Sequence, residues 1–159
     1  MTDITTHQSI TIDAPVERVW EALTTPDQIK QWFFGVDTES DWKEGSPIVH
    51  RGEYQGRAYE DRGSIVKIEP PRLLVHTHWS PVSGLPDSPE NYERVAWELA
   101  ERGDGTELTI RESNLASEEA RSTSEQGWKM ALQNLKNILE DRASPSPGPY
   151  EESDGGRLA

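Results

Sequence analysis

The chain has 159 residues, 33% of them hydrophobic and 28% charged, and its 29 acidic against 16 basic residues leave a formal net charge of −13; this length suits one domain with tails. Clustered Lys and Arg, which supply most of the affinity for phosphate backbones and anionic lipid surfaces, are missing, so neither nucleic acid nor a membrane is expected as a partner. With no cysteine there is no disulfide framework or thiolate chemistry, and no apolar run approaches the ~20 residues that span a bilayer.

The opening MTDITTHQS forms neither a basic nor an apolar targeting segment, which gives a cytoplasmic expectation with residues 1–6 as a flexible N-terminus. His7 to Ile12 reads as a strand with Ile10 and Ile12 on one face. Asp13-Ala14-Pro15 then stops it, and the pattern predicts a helix capped by Asp13 whose apolar face is Val16, Val19, Trp20 and Leu23. Thr25-Pro26-Asp27 opens a second short helix that runs to Trp32 and Phe33 and ends at Gly35.

From Val36 to Asn114 the apolar period is two, punctuated by turn residues such as Gln55-Gly56 and Arg102-Gly103-Asp104-Gly105. This predicts an antiparallel meander. Alternate residues share a face, which groups Ile48 with His50, Leu74 with His76 and His78, Val95 with Trp97 and Leu99, and Leu108 with Ile110 and Glu112. Ser80 to Asn91 interrupts the meander with three prolines, and a connection of this length points to a lid or binding loop.

Ser117 is a helix cap before Glu118 and Glu119, and Trp128, Ala131, Leu132, Leu135, Ile138 and Leu139 form the apolar stripe of a long amphipathic helix. Its partner should be the inner face of the meander, giving an α+β fold in which a curved sheet grips the C-terminal helix. The domain is placed at residues 7–142. Residues 143–159, with Pro145, Pro147 and Pro149 and almost nothing that could pack, are expected to be a disordered tail.

In that order of elements, Asp13-Ala14-Pro15, the Pro26 to Trp32 segment, Trp42-Lys43-Glu44-Gly45, Gly63 with Ile68-Glu69-Pro70-Pro71, Gly105-Thr106 and Gly127-Trp128 form a set. It resembles homologues of the C-terminal domain of the heat-shock protein 90 ATPase activator, within the START-like or SRPBCC superfamily. The resemblance covers nearly the whole predicted domain. It implies a helix-grip fold with a cavity between sheet and long helix, where many superfamily members bind lipids, hormones, polyketides or aromatic compounds. The family name also implies a chaperone or stress-response partner, and related families imply a third class, a cyclase or dehydratase using His76 or Glu112 as acid or base.

The candidate cavity residues are Trp32, Phe33, His50, His76, His78, Trp97, Glu112, Trp128 and Leu132, around a small apolar or amphipathic ligand. Trp32, Phe33 and the Ser80 to Asn91 loop would form the mouth. Three consecutive aromatics on a short helix cannot all face inward, so at least one belongs at the entrance or at a contact between two copies of the chain, a homodimer being the alternative. Gly127 in mid-helix costs about 1 kcal/mol relative to Ala; either it opens room for a ligand or it permits tight helix-sheet contact. His76 and His78, with His50 and Glu112, have the donor types of a zinc site, which needs three or four of them to converge; no metal or cofactor is assigned. Glu60 and Arg62 share a strand face and form a candidate polar pair that Glu112 could approach. With no G-x-S-x-G elbow and no phosphate-binding glycine loop, no catalytic residue is assigned.

Overall fold

Asp13-Ala14-Pro15 separates the first strand, β1 (Thr6–Ile12), from the first helix, α1 (Val16–Thr24), in the computed structural model, which describes residues 2–140. Pro15, not Asp13, is the N-cap of α1. Asp13 lies two residues too early: the carbonyl that accepts the first helical bonds is that of Pro15, from Arg18 N (2.9 Å) and Val19 N (3.2 Å). A second helix, α2 (Pro26–Trp32), begins at once with Pro26 in its first turn.

The remaining strands are β2 (Asp37–Ser40), β3 (Pro47–Tyr54), β4 (Arg57–Glu69), β5 (Leu73–His78), β6 (Glu93–Arg102) and β7 (Gly105–Ser113). They form one antiparallel sheet in the order β1-β7-β6-β5-β4-β3-β2. This is the expected meander, with β1 added beside the last strand. The expected lid contains two short 3₁₀ turns, Pro81–Ser83 and Pro89–Asn91.

Strand β4 carries an irregularity in its pairing with β5. Ile65 pairs with His76 and Lys67 with Val75, so β4 advances two residues while β5 advances one. Such a bulge reverses which alternate residues face inward, and both Ile65 and Ile68 meet the core while Val66 is exposed. Gly63 belongs to the same passage: a Cβ there would stand 1.8 Å from the Thr77 carbonyl oxygen.

The last helix, α3 (Glu118–Leu139), starts where Ser117 Oγ accepts from Ala120 N at 3.0 Å. Its buried face, Ala131, Leu132, Leu135 and Leu139, packs with Ile12, Leu99, Leu108 and Ile110 of the sheet into one core. Each such aliphatic side chain contributes about 1.5–3 kcal/mol on leaving water. Hydrogen bonds secure α3 along β1: Gln8 Nε2 donates to Glu125 O (2.9 Å) and Lys136 Nζ to Thr11 O (2.6 Å). Ahead of β1, Thr2 N donates to Asn114 Oδ1 (2.7 Å), and Leu115 N to Ile4 O (3.1 Å). The expected tail at 143–159 lies outside the described residues. The result is a helix-grip α+β fold, and among the described residues no helix is long and apolar enough to cross a membrane.

Candidate functional site

At the N-terminal half of α3 the helix does not close down on the sheet. A pocket of about 290 Å³ lies between them. Its floor crosses five strands: His50 from β3, Asp61 from β4, His76 and His78 from β5, Glu93 and Val95 from β6, and Glu112 from β7. Its walls are Phe33 and Phe34 after α2, and Ser124, Gly127 and Trp128 of α3.

The aromatic wall is ordered. Phe33 lies parallel to Trp128, with centroids 5.6 Å apart and 4° between planes. Trp97 meets Trp128 edge-on from below at 5.3 Å and 90°, an arrangement the ring quadrupoles favour. Phe34 takes a positive φ of 54°, which turns the chain out of α2 and keeps both phenylalanines on the pocket side. The Cβ that Gly127 lacks would meet nothing within 4 Å, so tight helix-sheet contact is not what this glycine serves.

The floor is a network of ionisable groups. His78 Nε2 donates to Asp61 Oδ2 (2.9 Å) and Nδ1 to Glu93 Oε1 (3.4 Å). Burial acts against its charge, but the bonds to Asp61 and Glu93 outweigh it and push the pKa up to about 10. Burial and the neighbouring His76 and His78 push His50 down to about 3. Burial likewise takes His76 down to about 4, and its Nδ1–H donates to the Thr77 carbonyl at 3.1 Å. At neutral pH the floor thus holds one imidazolium and two neutral imidazoles.

Glu112 accepts from Trp128 Nε1 at 3.0 Å and from the Ser124 hydroxyl, both at Oε1. Burial and the charge of Glu93 nevertheless push it up to about 7. Burial works on Glu93 too, but the bond to His78 holds its carboxyl below the usual range. Asp61 Oδ1 is buried with no hydrogen-bond partner. Among the described residues no group of His, Asp and Glu is arranged to hold a metal ion.

Of the nine candidate residues the structure brings six together: Phe33, His50, His76, His78, Glu112 and Trp128. The other three lie in the core. Trp32 is buried, with its Nε1 donating to Ala22 O at 2.8 Å; Trp97 supports Trp128 from below; Leu132 sits a turn beyond the pocket among the residues that close the grip. Glu60 and Arg62 are elsewhere, lining a groove with Thr77 and Tyr92 on the opposite face of the sheet, away from Glu112. The Ser80 to Asn91 connection does not line the pocket. Its residues Ser80, Ser83, Leu85 and Asn91 border an adjoining depression of about 500 Å³ that shares His78, Glu93 and Ser124 with it.

The reading of alternate residues did not include Asp61 or Glu93, yet the signal was present. Glu93 is two residues before Val95 on the face already identified, and Asp61 is four before the core residue Ile65 on the same side of the bulge.

The family model for the Activator of Hsp90 ATPase homolog 1-like protein matches residues 13–140. No curated protein matches the sequence. Among solved structures, the chain is similar to ChR145 from Cytophaga hutchinsonii at 41% identity and a TM-score of 0.76, over 89% of this chain and 97% of that one. It is also similar to CalU16 from Micromonospora echinospora (28% identity, TM-score 0.71, 96% and 72% covered). The fold is shared with the Aha1 dimer from Colwellia psychrerythraea (22% identity, TM-score 0.69, 86% and 96% covered).

Proposed function

Because the chain belongs to the Activator of Hsp90 ATPase homolog 1-like family, we propose that it is a binding protein for a small amphipathic molecule held between the sheet and α3. The observation that carries this reading is Gly127: a residue unfavourable in mid-helix faces open space that a side chain would otherwise fill. Its neighbours supply the two kinds of contact such a guest needs. Phe33, Phe34 and Trp128 offer apolar area, which contributes about 25 cal/mol per Å² removed from water, and the ionisable floor fixes orientation. The depression bordered by Ser80 to Asn91 leads to the polar end of the pocket and serves as its approach.

Tryptophan emission, reporting on Trp128 and Trp97, tests the reading against a panel of fatty acids, flavonoids, aryl alcohols and aryl amines. Saturable change with at least one class is expected, and its loss in Gly127→Leu, whose side chain enters the pocket, while melting is retained. A silent panel, or binding that Gly127→Leu leaves unchanged, overturns it.

A further inference from the structure

The hydrogen-bond inventory of the pocket is lopsided. Every donor except one is already committed within the protein: Ser124 and Trp128 to Glu112, both ring N–H groups of His78 to Asp61 and Glu93, and His76 Nδ1–H to the Thr77 carbonyl. The exception is His50, whose Nδ1 bonds the Thr38 hydroxyl at 3.0 Å, a group that can donate or accept. The unused valences are otherwise acceptors. A carbonyl cannot donate, so His76 carries its proton on Nδ1 and Nε2 is a bare lone pair. Asp61 Oδ1 is buried without a partner. Glu93 and Glu112 hydrogen-bond each other only while a proton stands between them.

The charges point the same way. The carboxylates of Asp61 and Glu93 face a single imidazolium, His78, already bonded on both sides, so Glu112 in its ionised form has no cation of its own. Above this floor stand Phe33, Phe34 and Trp128, aromatic rings of the kind whose quadrupoles attract cations, and the chain as a whole carries −13, which draws cations toward it.

We propose that the molecule held in this pocket is an organic cation: an ammonium on an aromatic or alkyl body, its N–H groups received by the carboxylates at the floor and its body against the wall of Phe33, Phe34 and Trp128. This rests on the ligand-binding reading above and specifies its ligand class. The ammonium takes the place of the proton shared by Glu93 and Glu112, so uptake releases a proton to solvent. The groups that face this position are His50, Asp61, His76, His78, Glu93 and Glu112; Glu112 is the one pushed to about 7, while His50 and His76 are pushed down to about 3 and 4, His78 up to about 10, and Glu93 below the usual carboxylate range. Affinity for the cation therefore rises with pH through about 7.

Three probes with one body separate the alternatives on the native protein: 4-phenylbutylammonium, 4-phenylbutanol and 4-phenylbutyrate, titrated calorimetrically in buffers of different ionisation enthalpy. The ammonium is expected to bind roughly tenfold more tightly than the alcohol, the margin of a charge-assisted over a neutral hydrogen bond, and the butyrate most weakly. Only the ammonium should release protons, and Glu112→Gln should abolish that release. An alcohol or butyrate that binds as well as the ammonium, or a set of three that does not bind, overturns the proposal. If members of the broader panel still bind and Gly127→Leu still blocks them, the ligand-binding reading stands without it.

Discussion

Trp128 Nε1 donates to Glu112 Oε1 across 3.0 Å, so the aromatic wall on α3 is tied to the polar floor on β7. The hydroxyl of Ser124, one turn earlier, reaches the same oxygen. Neither bond needs Glu112 to be charged, since a neutral carboxyl or an amide presents the same acceptor. The two bonds hold the group in place; burial beside Glu93 decides its charge.

Glu112 therefore links folding to pH in an unusual direction for a carboxyl. With its folded pKa raised to about 7 from 4.5, the folded chain binds a proton that the unfolded chain has released. Its contribution is complete below pH 4.5 and is lost as pH rises to about 7, up to roughly 3 kcal/mol by linkage. His50 and His76, whose pKa values are depressed to about 3 and 4, act oppositely, and stability falls as pH drops below 6.5. The difference between wild type and Glu112→Gln isolates the first effect. The variant should melt higher at pH 8, with the gap closing by pH 5; parallel melting curves across that range contradict the assignment.

His78 governs the alkaline side. Its pKa is raised from 6.5 to about 10, so its stabilisation is full below pH 6.5 and is lost as pH climbs toward 10. His78→Leu leaves Asp61 and Glu93 buried without their cation, a loss of about 3–5 kcal/mol for a broken buried pair. In the native protein the His78 ring proton resonances should not titrate between pH 5 and 8. A midpoint near 6.5 would show that the imidazolium bridging two carboxylates is absent.

Two glycines give opposite expectations from one substitution. Gly127→Ala adds a Cβ into open space and removes a mid-helix glycine, so it should stabilise by about 0.5–1 kcal/mol while narrowing the pocket. Gly63→Ala drives a Cβ to 1.8 Å from the Thr77 carbonyl oxygen, which only a break between β4 and β5 can relieve. Chemical denaturation should place the first above wild type and the second far below it. A Gly63→Ala protein of native stability would refute the close approach.

Alternation made most of the floor legible, because His50, His76 and Glu112 share parity with the apolar residues Ile48, Leu74 and Ile110. Parity tells which face a residue occupies but not how far along the sheet it sits. Trp97 therefore has the inward parity and yet lies in the core beneath Trp128, and Leu132, on the apolar stripe of α3, faces the sheet one turn beyond the opening. On β4 the run Glu60-Asp61-Arg62 puts charges on both faces, so composition could not say which of them points in. Only the buried Ile65, before the bulge, fixes Asp61 as the inward residue. The opening at the Gly127 end depends on the three-dimensional curvature of the sheet, to which no local pattern corresponds.

The three consecutive aromatics at the end of α2 divide structural from ligand-contacting roles. Trp32 is buried against Trp97, centroids 5.8 Å apart at 73°, with its indole N–H bonded to Ala22 O, so it acts as core. Phe33, one residue on, contacts Trp32 on one side, and on the other stacks on Trp128 and meets the His50 ring in a T-shaped contact, centroids 5.9 Å apart. Truncating a buried Trp costs about 3–5 kcal/mol. Trp32→Phe keeps part of that area but loses the bond to Ala22, so a loss of about 1–3 kcal/mol is expected. Affinity for a pocket probe such as 4-phenylbutylammonium should change little in that variant. Phe33→Ala should do the reverse: a smaller loss of stability, a red shift in Trp128 emission as its exposed face hydrates, and a large loss of probe affinity. Equal effects of the two substitutions on binding would mean that the aromatic wall does not begin at Phe33.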